Sequence, residues 1–150
     1  MPVNTVAHLN FHGEAREALE FYASVFGGAA TIATYADFGM PKEAPGADQV
    51  VFGQVVADSG FRVMAYDVPV QAAPTTAGTT RRENGVTLTT EPFFLSVRGD
   101  TADEVGALWE KLAVGATVVE PYGPAQWAPA FGMLTDRFGV TWILDVTANA

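Results

Sequence analysis

The sequence predicts an α+β fold in which two βαβββ modules form a single domain. The first observation is an internal repeat, because residues 9–26 match residues 95–112 at a constant offset. The second is a match near the end of each half, where residues 58–68 and 136–146 both read Asp, eight residues, Asp-Val. The third is that each half begins with a strand pattern that turns into a helix. Such a duplication indicates two packed copies of one unit, with a ligand surface between them.

The first module opens with a strand and a helix. Apolar and polar residues alternate over residues 6–12, so Leu9 lies on the face opposite to His8 and Asn10. Residues 14–26 place one apolar stripe along a helix, and a pair of glycines stops it. We expect the helix to cover the Leu9 face, which leaves His8 and Asn10 on the other side of the sheet.

Three further strands complete the first module. Their apolar and β-branched residues occur in short runs bounded by turn residues. We predict strands at 30–35, 50–57 and 61–66, a hairpin turn at 58–60 and an irregular loop at 37–48.

A long segment without hydrophobic period separates the two modules. Residues 68–90 are rich in Ala, Thr, Pro and Gly. We therefore predict a flexible loop over residues 69–90, which joins modules at about 1–68 and 91–150 and acts as a lid or a connector to a partner chain.

The second module repeats the order of the first. Residues 91–98 form a strand in which Phe94 and Arg98 face away from the following helix. Thr101 and Glu104 have the spacing of a capping box, which marks the start of that helix. Strands at 117–120, 131–135 and 141–146 complete the module.

Composition excludes several classes of function. The chain has 150 residues, a net charge of −9 and no cysteine, which excludes disulfides and thiolate metal sites. So few basic residues argue against nucleic-acid binding, and we interpret the Arg81-Arg82 pair as solvated loop charges. The chain shows no signal peptide or membrane span, so we expect a cytoplasmic protein. An apolar fraction of 49% with 17% charged residues favours a hidden surface such as a dimer interface.

Two long motifs resemble one protein family. They are WAPAFGMLTDRFGVTW at residues 127–142 and HLNFHGEAREALEFY at residues 8–22, followed by VFGG at 25–28. These strings resemble the PhnB-like branch of the glyoxalase, bleomycin-resistance and extradiol-dioxygenase superfamily, the vicinal oxygen chelate proteins. The resemblance implies paired βαβββ modules with cupped mixed sheets. It also implies a homodimer in which two chains build each cavity together.

The resemblance further implies a divalent metal, held by one residue from the first and one from the last strand of each module. His8 matches one of these ligand positions, whereas the others fall on Phe94, Ala65 and Ile143, which do not bind metals. Asp67 and Asp145 lie two residues beyond the last-strand positions and are weak candidates for a shifted site with His8. A divalent metal is therefore not favoured as cofactor. Two roles without a metal are also open for His8. It could act as a general base, or it could be a hydrogen-bonded polar residue of the sheet.

Two functions from different classes remain open. In the first, the chain binds a small organic molecule in the cup between the modules without the usual four-ligand metal site. In the alternative, it is a metal-dependent lyase, isomerase or dioxygenase that uses His8 in a shifted site. The sequence contains no Walker loop, GxSxG elbow or HExxH helix. The candidate ligand-binding residues are His8, Asn10, Tyr66, Phe94, Arg98, Trp127 and Phe131.

Overall fold

The computed structural model describes residues 3–69 and 78–147. The chain divides into two compact units, Met1–Thr75 and Thr76–Ala150. Each unit contains one βαβββ module, so the predicted α+β class is confirmed. No helix in the described ranges is long and apolar enough to cross a membrane.

The first unit forms a mixed four-stranded sheet with one helix on it. Strand β1 runs parallel to β4, and the other neighbours are antiparallel in the order β1-β4-β3-β2. The elements are β1 His8–Phe11, helix α1 Ala15–Phe26, β2 Ala29–Thr34, a short 3-10 helix Ala36–Phe38, β3 Val50–Val56 and β4 Arg62–Asp67.

The second unit repeats this arrangement after an additional hairpin. Its sheet has the order β7-β10-β9-β8, in which β7 runs parallel to β10, so the two sheets share one topology. The elements are β5 Thr80–Glu83, β6 Val86–Thr89, β7 Leu95–Gly99, helix α2 Ala102–Leu112, β8 Thr117–Ala125, β9 Ala128–Thr135 and β10 Thr141–Val146. The shared strand order confirms the duplication that the sequence indicates.

Both helices bury an apolar stripe against their own sheet. The buried residues of α1 are Ala15, Ala18, Leu19, Tyr22, Val25 and Phe26. In the second unit, Thr101 caps α2, because its side chain accepts a bond of 3.1 Å from the backbone N–H of Glu104. Both helices therefore form where the apolar period and the stop or cap residues predict them.

A buried aspartate holds the turn between β9 and β10. Asp136 Oδ1 accepts bonds from the backbone N–H of Phe138 and Val140, at 2.8 and 3.0 Å. Its Oδ2 accepts a 2.8 Å bond from Nε1 of Trp142, which is 1% exposed. The carboxylate thus satisfies a core indole N–H that would otherwise be buried without a partner. Trp142 therefore belongs to the core.

The prediction of a structureless loop over residues 69–90 is wrong for its second half. Strands β5 and β6 pair as an antiparallel hairpin, with Asn84 at φ 52° and Gly85 at φ 77° in the turn. Positive φ at both central residues is the geometry of the tight turn that Asn-Gly favours. Residues 70–77 of the predicted loop lie outside the described residues.

The strand registers correct the alignment of the two modules. His8 pairs with Met64 in the first unit, and Ser96 pairs with Ile143 in the second. The turns before β4 and β10 align Gly60 with Gly139, which makes Met64 the counterpart of Ile143. Ser96, rather than Phe94, is therefore the counterpart of His8. The sequence repeat placed these residues wrongly, because side chains alternate between faces and a shift of one residue exchanges them.

Candidate functional site

The open face of the first sheet carries a small polar and aromatic group. Asn10 and Tyr66 are paired across β1 and β4, so they lie on the same face as His8 and Met64. His8 Nδ1 lies 3.2 Å from Asn10 Oδ1, and the His8 ring meets the Tyr66 ring edge-on at 5.3 Å between centroids. The structure thus brings together three of the predicted ligand-binding residues, with His8 and Asn10 exposed.

Asp67 lies on the opposite face of that sheet, and its carboxylate is already bound. It pairs with Phe11 on the helix side and is 1% exposed. Oδ1 accepts bonds from the backbone N–H of Gly13 and Ala15, at 2.8 and 3.0 Å, and Oδ2 accepts a 2.9 Å bond from that of Val50. The prediction that Asp67 could join His8 in a shifted metal site is therefore wrong, because the two side chains lie on opposite faces of the sheet. Asp67 satisfies N–H groups at the start of α1 that the helix leaves without partners.

A tyrosine hydroxyl continues this network at the end of β4. The Tyr35 hydroxyl donates a 2.7 Å bond to the backbone carbonyl of Asp67. Burial, together with the nearby Tyr66 hydroxyl and the Asp67 carboxylate, raises the pKa of Tyr35 above its ordinary value. The phenol consequently stays protonated and keeps its role as a donor.

The corresponding face of the second sheet carries a charged pair. Arg98 pairs with Asp145 across β7 and β10, and its Nε lies 3.2 Å from Asp145 Oδ1. The Arg98 side chain is 64% exposed, whereas that of Asp145 is 10% exposed. The contact is an ion pair whose geometry is too poor for a hydrogen bond, since Oδ1 has no hydrogen-bond partner among the described residues. Phe94 was predicted to lie in a strand, but it precedes β7 and is half-buried.

The side chains present do not fit the metal site that the fold implies. Within residues 3–69 and 78–147, no group of three His, Cys, Asp or Glu residues is placed to hold an ion. Asp67 uses its oxygens on three backbone donors, and His8 contacts the side chains of Asn10 and Tyr66, neither of which is a carboxylate or an imidazole. We therefore derive no reaction step through a metal.

A second group of side chains lies around Arg82 of the hairpin in the second unit. The guanidinium carbon of Arg82 lies 5.5 Å from the ring centroid of Phe131 and 5.9 Å from that of Trp127. The two rings meet edge-on at 5.2 Å between centroids. Arg82 Nη2 lies 3.9 Å from Glu120 Oε1. We call Arg82, Glu120, Trp127 and Phe131 the Arg82 cluster.

Trp127 is held in the Arg82 cluster although it is largely exposed. It occupies the turn between Ala125 and Ala128, which pair at the ends of β8 and β9. The Trp127 side chain is 56% exposed, while Phe131 beneath it is 9% exposed. The predicted strand ends at residue 120, but β8 continues to Ala125 through three register shifts in its pairing with β9. An aromatic ring that is both exposed and packed against its neighbours is suited to stack with a flat ligand.

Alternation along β5 explains why only one of two neighbouring arginines belongs to the cluster. Arg81 points to solvent, where its Nε lies 3.2 Å from Glu83 Oε1. Arg82 points to the other side, its side chain is 12% exposed, and its Nη1 donates a 2.8 Å bond to Thr87 Oγ1. The interpretation of both arginines as solvated charges is wrong for Arg82. The Asn-Gly turn two residues later was the sequence feature that places Arg82 on a strand face.

Hydrogen bonds through Glu91 anchor the hairpin to the sheet of the second unit. Glu91 Oε2 accepts bonds of 2.8 Å from Thr80 Oγ1, in β5, and 2.7 Å from Thr141 Oγ1, in β10. Thr141 in turn accepts a bond from Thr135 Oγ1, at 2.8 Å. These bonds hold β5, and with it Arg82, against the sheet that carries the Trp127 and Phe131 rings.

Comparisons with known proteins agree on a family and a fold. A family model described as 3-demethylubiquinone-9 3-methyltransferase matches residues 3–144. The crystal structure of protein PA1353 from Pseudomonas aeruginosa is 30% identical, with a TM-score of 0.78, over 99% of this chain and 100% of that one. A Bacillus cereus protein described as a putative 3-demethylubiquinone-9 3-methyltransferase, PhnB protein, is 24% identical, with a TM-score of 0.71, over 97% and 100% of the two chains.

A more distant structure shares the fold alone. The glyoxylase/bleomycin resistance protein/dioxygenase domain from Frankia sp. EAN1pec is 12% identical, with a TM-score of 0.65, and covers 100% of this chain and 95% of its own. A search of curated proteins finds no match to the chain. The similarities therefore establish family and fold, and the chemistry has to be argued from the side chains.

Proposed function

We propose that this chain, which belongs to the family described as 3-demethylubiquinone-9 3-methyltransferase, in the PhnB-like branch of the glyoxalase superfamily, binds a small, partly aromatic organic molecule. The observation that carries the proposal is Trp127, whose ring is 56% exposed and yet packed against Phe131 and Arg82. An aromatic ring held in place loses little conformational entropy when a flat ligand stacks on it.

The proposal does not rely on a four-ligand metal site. In the alternative, a metal-dependent lyase, isomerase or dioxygenase, an ion would need further ligands beside His8, and Asp67 lies on the other face of the sheet. The family description names methyl transfer, but the sequence has no GxGxxG motif after a strand and no other motif that assigns this chemistry. Noncatalytic binding is thus the function that the side chains support best.

We expect Trp127→Ala to abolish most of the ligand binding. A panel of one-ring and two-ring aromatic compounds would be screened by thermal shift, because a ligand that prefers the native state raises Tm. The compounds that raise Tm would then be titrated by calorimetry. Removing a stacking residue at the centre of a site costs roughly tenfold or more in affinity.

Phe93→Ala is the matched control, since Phe93 is a 60% exposed aromatic residue of the same unit outside the Arg82 cluster. Its affinities should equal those of the unmodified chain. The proposed function is wrong if no compound of the panel raises Tm. It is also wrong if the bound compounds keep their affinity in Trp127→Ala.

We further propose that the chain forms a homodimer. The resemblance implies it, and 49% apolar with only 17% charged residues is consistent with a hidden interface. Size-exclusion chromatography with light scattering should give about twice the chain mass of 15.9 kDa. A mass equal to that of one chain at micromolar concentration would contradict the dimer.

A further inference from the structure

The Arg82 guanidinium has an edge for which the described residues supply no acceptor. Nη1 is bound to Thr87, but Nη2 lies 3.9 Å from Glu120, which is too far for a hydrogen bond. Nε is buried and has no hydrogen-bond partner among the described residues. Buried donors are almost always paired, so an unpaired Nε beside a poorly paired Nη2 requires an explanation.

We propose that this edge binds the anionic group of the ligand, and that the ligand is a flat aromatic carboxylate. The inference rests on the proposed function, because it assigns the ligand class of the Trp127 site. The Nε and Nη2 donors of an arginine match the two oxygens of a carboxylate in a bidentate pair. Trp127 stacks with the ring of the same ligand.

The chemistry of the Arg82 cluster favours an anion over a neutral polar group. A carboxylate supplies both missing acceptors at once, and charge-assisted bonds are about twice as strong as neutral ones. The surrounding Phe131 and Trp127 rings lower the local polarity, which strengthens the pair. The chain carries a net charge of −9, so general attraction of anions does not account for binding at this position.

Glu120, whose side chain is 40% exposed, is the internal carboxylate that competes for the same edge. Glu120→Gln removes this competing charge. We therefore expect Glu120→Gln to increase the preference for carboxylates over neutral compounds.

The experiment compares 2-naphthoate with its neutral analogue 2-naphthamide by calorimetry at neutral pH. We expect the unmodified chain to bind the acid about tenfold or more tightly than the amide. Arg82→Gln should remove this preference, so that the acid and the amide bind with similar affinities. Arg82→Lys keeps the charge but lacks the bidentate edge, so it should retain only part of the preference.

Arg81→Gln is the matched control, because Arg81 is adjacent in sequence, carries the same charge and points to solvent. It should bind both compounds as the unmodified chain does. The inference is overturned if acid and amide bind equally, or if Arg81→Gln loses the preference as fully as Arg82→Gln. Equal binding leaves the proposed small-molecule function intact, whereas a failure of the whole aromatic panel would remove the function as well.

If Arg82→Gln unfolds, Arg82→Lys and Glu120→Gln still decide the question. An acid preference that is unchanged in both variants would overturn the inference. A lower preference in Arg82→Lys, with a higher one in Glu120→Gln, would support it.

Discussion

Asp67→Ala is expected to lower the free energy of unfolding by roughly 3–5 kcal/mol, because it leaves three backbone N–H groups without their acceptor. Those donors belong to Gly13, Ala15 and Val50. Helix α1 has no capping bond from its own N-cap residue, Glu14, so Asp67 supplies the capping oxygen from β4. A loss of this size is a large part of the stability of an ordinary domain.

Urea unfolding followed by circular dichroism would measure the change. Asp58→Ala is the matched control, since Asp58 is an exposed carboxylate in the turn that precedes β4, and it should lose no more than about 0.5 kcal/mol. Asp67→Asn should fall between the two, because an amide keeps one acceptor oxygen. A loss in Asp67→Ala as small as that of Asp58→Ala would contradict the capping role.

The same variant separates the structural role of Asp67 from the metal hypothesis. A structural carboxylate stabilises the protein equally with and without a chelator. A metal ligand contributes stability only when the ion is bound. The cost of Asp67→Ala should therefore be the same in the presence of EDTA.

The sequence predicts the helices and the order of the strands correctly because these depend on coarse patterns. An apolar stripe over residues 14–26 and a cap at Thr101 specify helices locally. Because the two halves are copies of one unit, the same strand order occurs in both sheets. Helix bounds differ from the prediction by at most one residue at α1, where the stripe and the glycine stop are strong.

The faces of the strands were harder to predict, because they depend on single residues. Aligning Leu9 with Leu95 made Phe94 the counterpart of His8, but pairing through β4 and β10 makes it Ser96. Apolar residues of the two halves still match when the alignment is shifted by a residue or two. In a pleated sheet, however, a shift of one residue moves each side chain to the opposite face. The ligand position assigned to Phe94 was wrong for this reason.

The most informative candidate residue, Arg82, was missed for a different reason. The predicted loop was rich in Ala, Thr, Pro and Gly, and this composition hid the hairpin of β5 and β6. Asn84-Gly85 between alternating residues is a hairpin pattern that the sequence does contain. What no sequence pattern shows is the contact of Arg82 with Trp127 and Phe131, since it joins segments far apart in the chain.

The second large effect is expected for Gly28→Ala, which should lower the free energy of unfolding by about 4 kcal/mol or more. Gly28 joins α1 to β2 at φ 90°, a conformation that side chains rarely adopt. A Cβ at Gly28 would overlap the carbonyl oxygen of Val56 and lie 2.7 Å from its carbonyl carbon and 2.8 Å from Ala57 Cα. These atoms belong to the backbone, so the strand itself would have to move.

Gly27→Ala is the matched control for this overlap. Gly27 also has a positive φ, of 84° with ψ 179°, but a Cβ there would meet no atom of the described residues within 4 Å. Its cost should be the conformational strain alone, about 1–3 kcal/mol. Urea unfolding of both variants isolates the overlap as the difference between them. Equal losses would mean that the backbone of β3 at Val56 moves aside without a measurable loss of stability. The contact between the α1–β2 connection and β3 would then not be the reason that residue 28 is a glycine.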